Sequence, residues 1–210
     1  MRKIGILGGT FNPVHFGHLR IALECKQELA LDELRMIPCA LPPHRDVPDV
    51  SATQRLQMLE LAIASSDEFI LDPRELRRAG PSYSVDTLES LNADFPDNAL
   101  FMIIGSDAFQ SLNTWHQWER IPDLCHIVVA QRPDNVLNKN GTVGQLLKHR
   151  FVRYLSDLQN ARNGFVIPVN VSQLEISSTH IRKLIHQGQS PQYLLPDNVM
   201  QYIFENALYN

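Results

Sequence analysis

Short apolar runs of strand character alternate with longer segments of helical spacing along the chain, and that alternation leaves few folds open. Residues 4–7 read as a strand, and residues 19–29 follow with apolar side chains at Leu19, Ala22, Leu23 and Leu29 in a helical stripe. A second strand is expected over 34–37. Ser51-Ala-Thr-Gln54 then has the form of a capping box ahead of Leu56, Leu59, Ala62 and Ile63 at helical spacing. Further strands are expected over 69–71, 99–104, 125–130 and 165–171, and further helices over 85–91, 179–186 and 197–208. Strands separated by crossover helices pair in parallel, so the expected fold is a doubly wound parallel α/β sheet. The polar segment 133–144, with Asn135, Asn138 and Asn140, reads as a loop or insertion.

A length of 210 residues suits one well-buried core, so residues 1–210 are read as a single domain with 176–210 as a C-terminal helical subregion. The net charge of −4 argues against a protein that grips a nucleic-acid backbone. Arg74, Arg77 and Arg78 are the one local basic cluster, read as a solvated face or a rim beside a phosphate. Three widely spaced cysteines, Cys25, Cys39 and Cys125, fit neither a disulfide framework nor a metal knuckle. With no apolar run of signal-peptide or membrane-spanning length, the expectation is a cytoplasmic protein with no membrane partner. Oligomeric state is not readable, and a homo-oligomer is compatible with the sequence.

Directly after the first strand comes Gly8-Gly-Thr-Phe-Asn-Pro-Val-His15-Phe-Gly-His18. In doubly wound sheets the first strand-to-helix turn is the usual ligand site. Gly8 and Gly9 would let backbone amides approach a ligand there, and the helix starting near 14 or 15 would aim its free N–H groups at the same point. His15 and His18 lie three apart. The pattern suits a triphosphate, although a tight turn with two surface histidines is the plain alternative. It is neither a Walker loop nor a dinucleotide fingerprint. No cysteine or carboxylate sits at ligand spacing to complete a zinc shell, so no metal ligands are assigned.

Near the other end, Ile176-Ser-Ser-Thr-His-Ile-Arg182 brings Ser177, Ser178 or Thr179 to a helix start, with Arg182 one turn on. Hydroxyls, amides and a guanidinium converging at a helix N-terminus make a second anion site; an ordinary cap with a solvated arginine is the alternative. The two segments together resemble the paired signatures of the HxGH nucleotidyltransferase superfamily. Leu41-Pro-Pro-His44-Arg45, Pro81-Ser-Tyr-Ser84, Ile103-Ile-Gly105-Ser-Asp107, Thr114-Trp115 and Gln131-Arg132-Pro133 lie between them in the order and at the separations that resemble the bacterial nicotinate-nucleotide adenylyltransferases.

That resemblance implies an enzyme joining ATP and nicotinate mononucleotide, with Mg²⁺ accompanying ATP, and releasing pyrophosphate on the way to NAD. By resemblance His15, His18 and Arg182 carry the transfer. Gly8, Gly9, Thr10, Phe11, His18, Gly105, Asp107, Ile176, Ser177, Ser178 and Arg182 surround ATP, while Asn12, His44, Arg45, Ser84, Trp115, His116 and Arg132 surround the mononucleotide. On residue type alone Trp115 is equally a core residue, Asp107 equally a helix cap, and Arg45 and Arg132 equally surface charges. Four positions depart from the family pattern: Asn12 where Asp is common, His116 where a phenol is common, and Cys39-Ala40 where amide residues often precede the proline pair. Transfer to another acceptor by the same fold, a regulator that binds nucleotide without chemistry, and a nucleic-acid module are the competing readings.

Overall fold

The computed structural model describes residues 1–42, 48, 50–131, 140–152, 155–158, 161–172 and 174–210. Six strands form one parallel sheet: β1 (Lys3–Gly9), β2 (Glu33–Pro38), β3 (Ile70–Leu71), β4 (Ala99–Gly105), β5 (His126–Gln131) and β6 (Val166–Asn170). The order across the sheet is β3-β2-β1-β4-β5-β6. The chain moves outward from β1 through β2 to β3, then returns to place β4 against the free side of β1, pairing Leu7 with Ile103. This reversal makes the carboxyl ends of β1 and β4 the topological switch point, where open α/β sheets bind ligands. The doubly wound parallel fold expected from the sequence is therefore the fold observed.

Eight α-helices accompany the strands among the described residues: α1 (Phe16–Glu28), α2 (Ala52–Ile63), α3 (Ser84–Asp94), α4 (Ser106–Gln110), α5 (Ile121–Leu124), α6 (Thr142–Leu146), α7 (Ser178–His186) and α8 (Asp197–Glu205). Strand side chains alternate between two apolar layers, as a pleated strand buried on both faces requires. Phe101 and Ile103 of β4 join Leu7, Leu34, Met36 and Val128 against α1, α2, α7 and α8. Leu100, Met102 and Ile104 join Ile4, Ile6, Ile127 and Val129 against α3, α4, α5 and α6.

Local rules set several element ends. Ser51 caps α2 with the full capping box, its Oγ accepting from Gln54 N while the Gln54 side chain accepts from Ser51 N. Ser177 caps α7, its hydroxyl accepting from His180 N at 3.2 Å. Two expectations need correction. The segment 133–144, expected to be a loop, contains the start of α6 at Thr142; its residues 133–139 lie outside the described residues. The last helix ends at Glu205, because Ala207 turns to φ 49° and folds Leu208 N back onto Ile203 O.

Arg74 is not part of a solvated face. Its side chain is 13% exposed and lies in a ladder of charges along the β2–β3 edge. Glu33 binds Arg35 at 2.9 Å, Arg35 binds Asp72 at 3.1 Å, Asp72 binds Arg74 at 2.9 Å and Arg74 binds Asp94 at 3.1 Å. The central carboxylate of Asp72 holds two guanidiniums that are largely withdrawn from water. Replacing it leaves both without their shared partner, so Asp72→Ala is expected to lower stability by about 3 kcal/mol, checked by the shift in urea midpoint at unchanged slope.

Candidate active site

The loop after β1 enters the switch point with little side-chain bulk. A Cβ placed on Gly8 or on Gly105 would meet nothing within 4 Å, so both glycines face open space at adjacent strand ends. Gly17 serves the opposite purpose: a Cβ there would lie 3.0 Å from the His15 ring, tighter than an ordinary contact, so glycine leaves that ring its place without a shift. His15 is itself the cap residue of α1, extended at φ −151° and ψ 170°, and not a helical position. Its imidazole therefore stacks on that of His18, ring centroids 3.8 Å apart. Phe11, at φ 47°, turns its ring inward and meets His18 edge-on at 5.1 Å.

Distant elements fix this loop by donating to its carbonyl groups. Ser178 Oγ donates to Pro13 O at 2.9 Å, and Arg182 Nη1 donates to Asn12 O at 2.8 Å, so the two sequence signatures meet directly. Tyr209, beyond α8, donates its hydroxyl to Asn12 Oδ1 at 2.6 Å. From below, Arg55 of α2 donates through Nη1 to Thr10 O at 2.7 Å and Cys39 O at 2.6 Å, and through Nη2 to Ala40 O at 3.0 Å. Arg55 is 1% exposed, and burial lowers its pKa.

These groups open onto a cavity of about 1310 Å³. Every described residue that the sequence assigned to a site lines it: Gly8, Gly9, Thr10, Phe11, Asn12, His15, His18, Ser84, Gly105, Asp107, Trp115, His116, Ile176, Ser177, Ser178 and Arg182. His44, Arg45 and Arg132 lie outside the described residues. Asp107 is exposed in the first turn of α4 and gives that helix no side-chain cap, since the cap residue is Gly105. Trp115 is half-buried against the α3–α4 layer, whereas the stacked ring pair here is Tyr83 on His116 at 4.2 Å.

Three polar residues of this region were missed from sequence. Arg55 shares the buried face of α2 with Met58, Leu59 and Ile63, so a charge on an apolar stripe was the available signal. Glu75, in the short 3₁₀ turn Arg74–Arg77, and Tyr209 carry no periodic signal at all. Glu75 is 8% exposed and also lines the cavity; burial raises its pKa against the opposing hydrogen bonds from Thr87 and Ser82. Among the described residues there is no group of three or more His, Cys, Asp or Glu side chains arranged to hold a metal ion, and no helix long and apolar enough to cross a membrane.

A parallel sheet with a glycine-lined switch point, stacked histidines where the first helix starts and a serine-capped helix closing from the far end of the chain defines a nucleotidyltransferase, and residues 6–184 match the cytidylyltransferase-like family model. The chain is 48% identical over 99% of its length, and 97% of the relative's, to a probable nicotinate-nucleotide adenylyltransferase of Pseudomonas aeruginosa. It is 47% identical to that of Methylococcus capsulatus, over 98% of this chain and 99% of the relative. It therefore belongs to the nicotinate-nucleotide adenylyltransferase family. Nicotinic acid mononucleotide adenylyltransferase from Plasmodium falciparum, solved with NaAD, shares the fold at a TM-score of 0.76 and 16% identity, covering 100% of this chain and 98% of that one.

Burial holds His15 neutral, its pKa lowered from the usual 6.5 to about 4, and its Nδ1 has no hydrogen-bond partner among the described residues. Between these values the unfolded chain takes up a proton that the folded one refuses. Stability attributable to His15 is thus complete above pH 6.5 and is lost as pH falls toward 4, by up to about 3 kcal/mol. Thermal unfolding from pH 7 to pH 4 is expected to show this decline, and His15→Gln to flatten part of it.

Proposed function

We propose that this protein transfers the adenylyl group of ATP to nicotinate mononucleotide, forming nicotinate adenine dinucleotide and pyrophosphate. The observation that carries the reading is the meeting of the two signatures at the switch point, with Ser178 on the Pro13 carbonyl and Arg182 on the Asn12 carbonyl. Two segments 165 residues apart converge on one cavity. Full-length relatives of that name support the acceptor.

The mononucleotide phosphate is already an anionic nucleophile, so it attacks the α-phosphorus in line without a general base or a covalent intermediate. The protein's task is to align two repelling anions and to stabilise charge on the bridging and leaving oxygens. Gly8 and Gly9 admit the phosphates to the backbone, and Arg182 supplies fixed positive charge from α7. His15, neutral and stacked on His18, acts as a fixed platform that holds His18 toward the triphosphate. Asp107 accepts hydroxyls of the ATP ribose, while Ser84 at the start of α3 and Trp115 receive the pyridine end. Mg²⁺ would arrive with ATP, and Thr10 and Asp107 are oxygen-bearing side chains of the same cavity that would face it. The ion would neutralise part of the triphosphate charge.

With Mg²⁺ and ATP, pyrophosphate release is expected to be strong with nicotinate mononucleotide and weak with nicotinamide mononucleotide or phosphopantetheine. His18→Ala is expected to lower kcat by about 10²–10³ while leaving the far-UV spectrum unchanged. Equal turnover on all three acceptors would remove the assigned substrate.

A further inference from the structure

Glu75 stands outside every signature, yet its carboxylate organises one wall of the cavity. Thr87 Oγ1 donates to Glu75 Oε1 at 2.7 Å, well inside its 3.3 Å separation from Tyr83 O. Ser82 stands beside the same carboxylate and acts with Thr87 to lower its pKa against the effect of burial. The Ser82 oxygen accepts the N–H groups of Ala40 at 3.0 Å and Leu41 at 3.4 Å, which occupies both of its lone pairs and leaves its one proton for the Glu75 side. Ser82 N adds a bond to Leu41 O at 2.9 Å. One buried carboxylate thereby sets the polarity of two hydroxyls and ties residues 40 and 41 to the first turn of α3. Arg55 grips the same loop through Cys39 O and Ala40 O.

Pro42, Ser82, Tyr83, Ser84 and Thr87 all line the cavity beside Glu75. We infer that Glu75 is a positioning residue for the mononucleotide, acting through Ser82 on the loop before Pro42 and through Thr87 on the start of α3. The inference rests on the proposed acceptor. A glutamine at this position has the same shape but only one accepting atom. With its oxygen kept on Thr87, its NH₂ would face the Ser82 oxygen, whose two lone pairs already accept from Ala40 and Leu41 N–H, and would displace one of those bonds.

Steady-state kinetics separates a local role from general destabilisation. Glu75→Gln is expected to raise KM for nicotinate mononucleotide about tenfold, the effect of losing one charge-assisted hydrogen bond, with KM for ATP changing less than twofold. Ser82→Ala, which removes the relay without touching the carboxylate, is expected to shift the same constant in the same direction and serves if the first variant fails to fold. Equal rises in both KM values, or an unchanged mononucleotide KM in a folded variant, would overturn the role of Glu75. A wild-type enzyme inactive on nicotinate mononucleotide would instead overturn the acceptor assignment and this inference with it.

Discussion

Because the parallel sheet is covered on both faces, polar chemistry can collect only at its edges. Strands β1, β4 and β5 send alternate side chains into two apolar layers and leave no polar strip on either face. At the carboxyl edge the reversal of strand order separates the loops after β1 and β4, and the two open glycines, Gly8 and Gly105, stand at that gap. The site sits there because it is where backbone N–H groups can meet an anion from outside the core.

Precision at that gap comes from side chains that donate to residues 10–13. Arg55, Arg182, Ser178 and Tyr209 reach this stretch from sequence separations of 45, 170, 165 and 197 residues. Backbone carbonyls accept a guanidinium well, so Arg55 and Arg182 are held here by carbonyl oxygens and not by an ion pair among the described residues. Transfer between two anions gains most from such preorganised positive charge, which need not reorganise during reaction. His15 completes the arrangement in a different way. Its burial keeps it uncharged, and Gly17 gives its ring the room to stack on His18.

Much of this was legible in the chain. The alternation of periods indicated the parallel sheet, Ser51 and Gln54 marked the start of α2, and the two signatures indicated both ends of the site. Helix α8 was overextended because Leu208 keeps the apolar pattern after the backbone has left the helix. The sequence leaves Arg74 open as a solvated face or a rim beside a phosphate, because its partners Asp72, Ser90 and Asp94 come from different elements.

Sequence by itself determined the fold class and marked the two segments that meet at the cavity, since periodicity and short motifs report interactions between residues two to four positions apart. Only the tertiary structure decided that Arg55 braces the loop after β1, that Glu75 sets the hydroxyls at α3 and that Tyr209 binds Asn12. Most of Arg55's and Arg182's acceptors are backbone carbonyls, which every residue carries. No side-chain pattern distinguishes the carbonyl of Thr10 or Asn12 from any other until the fold brings a donor to it.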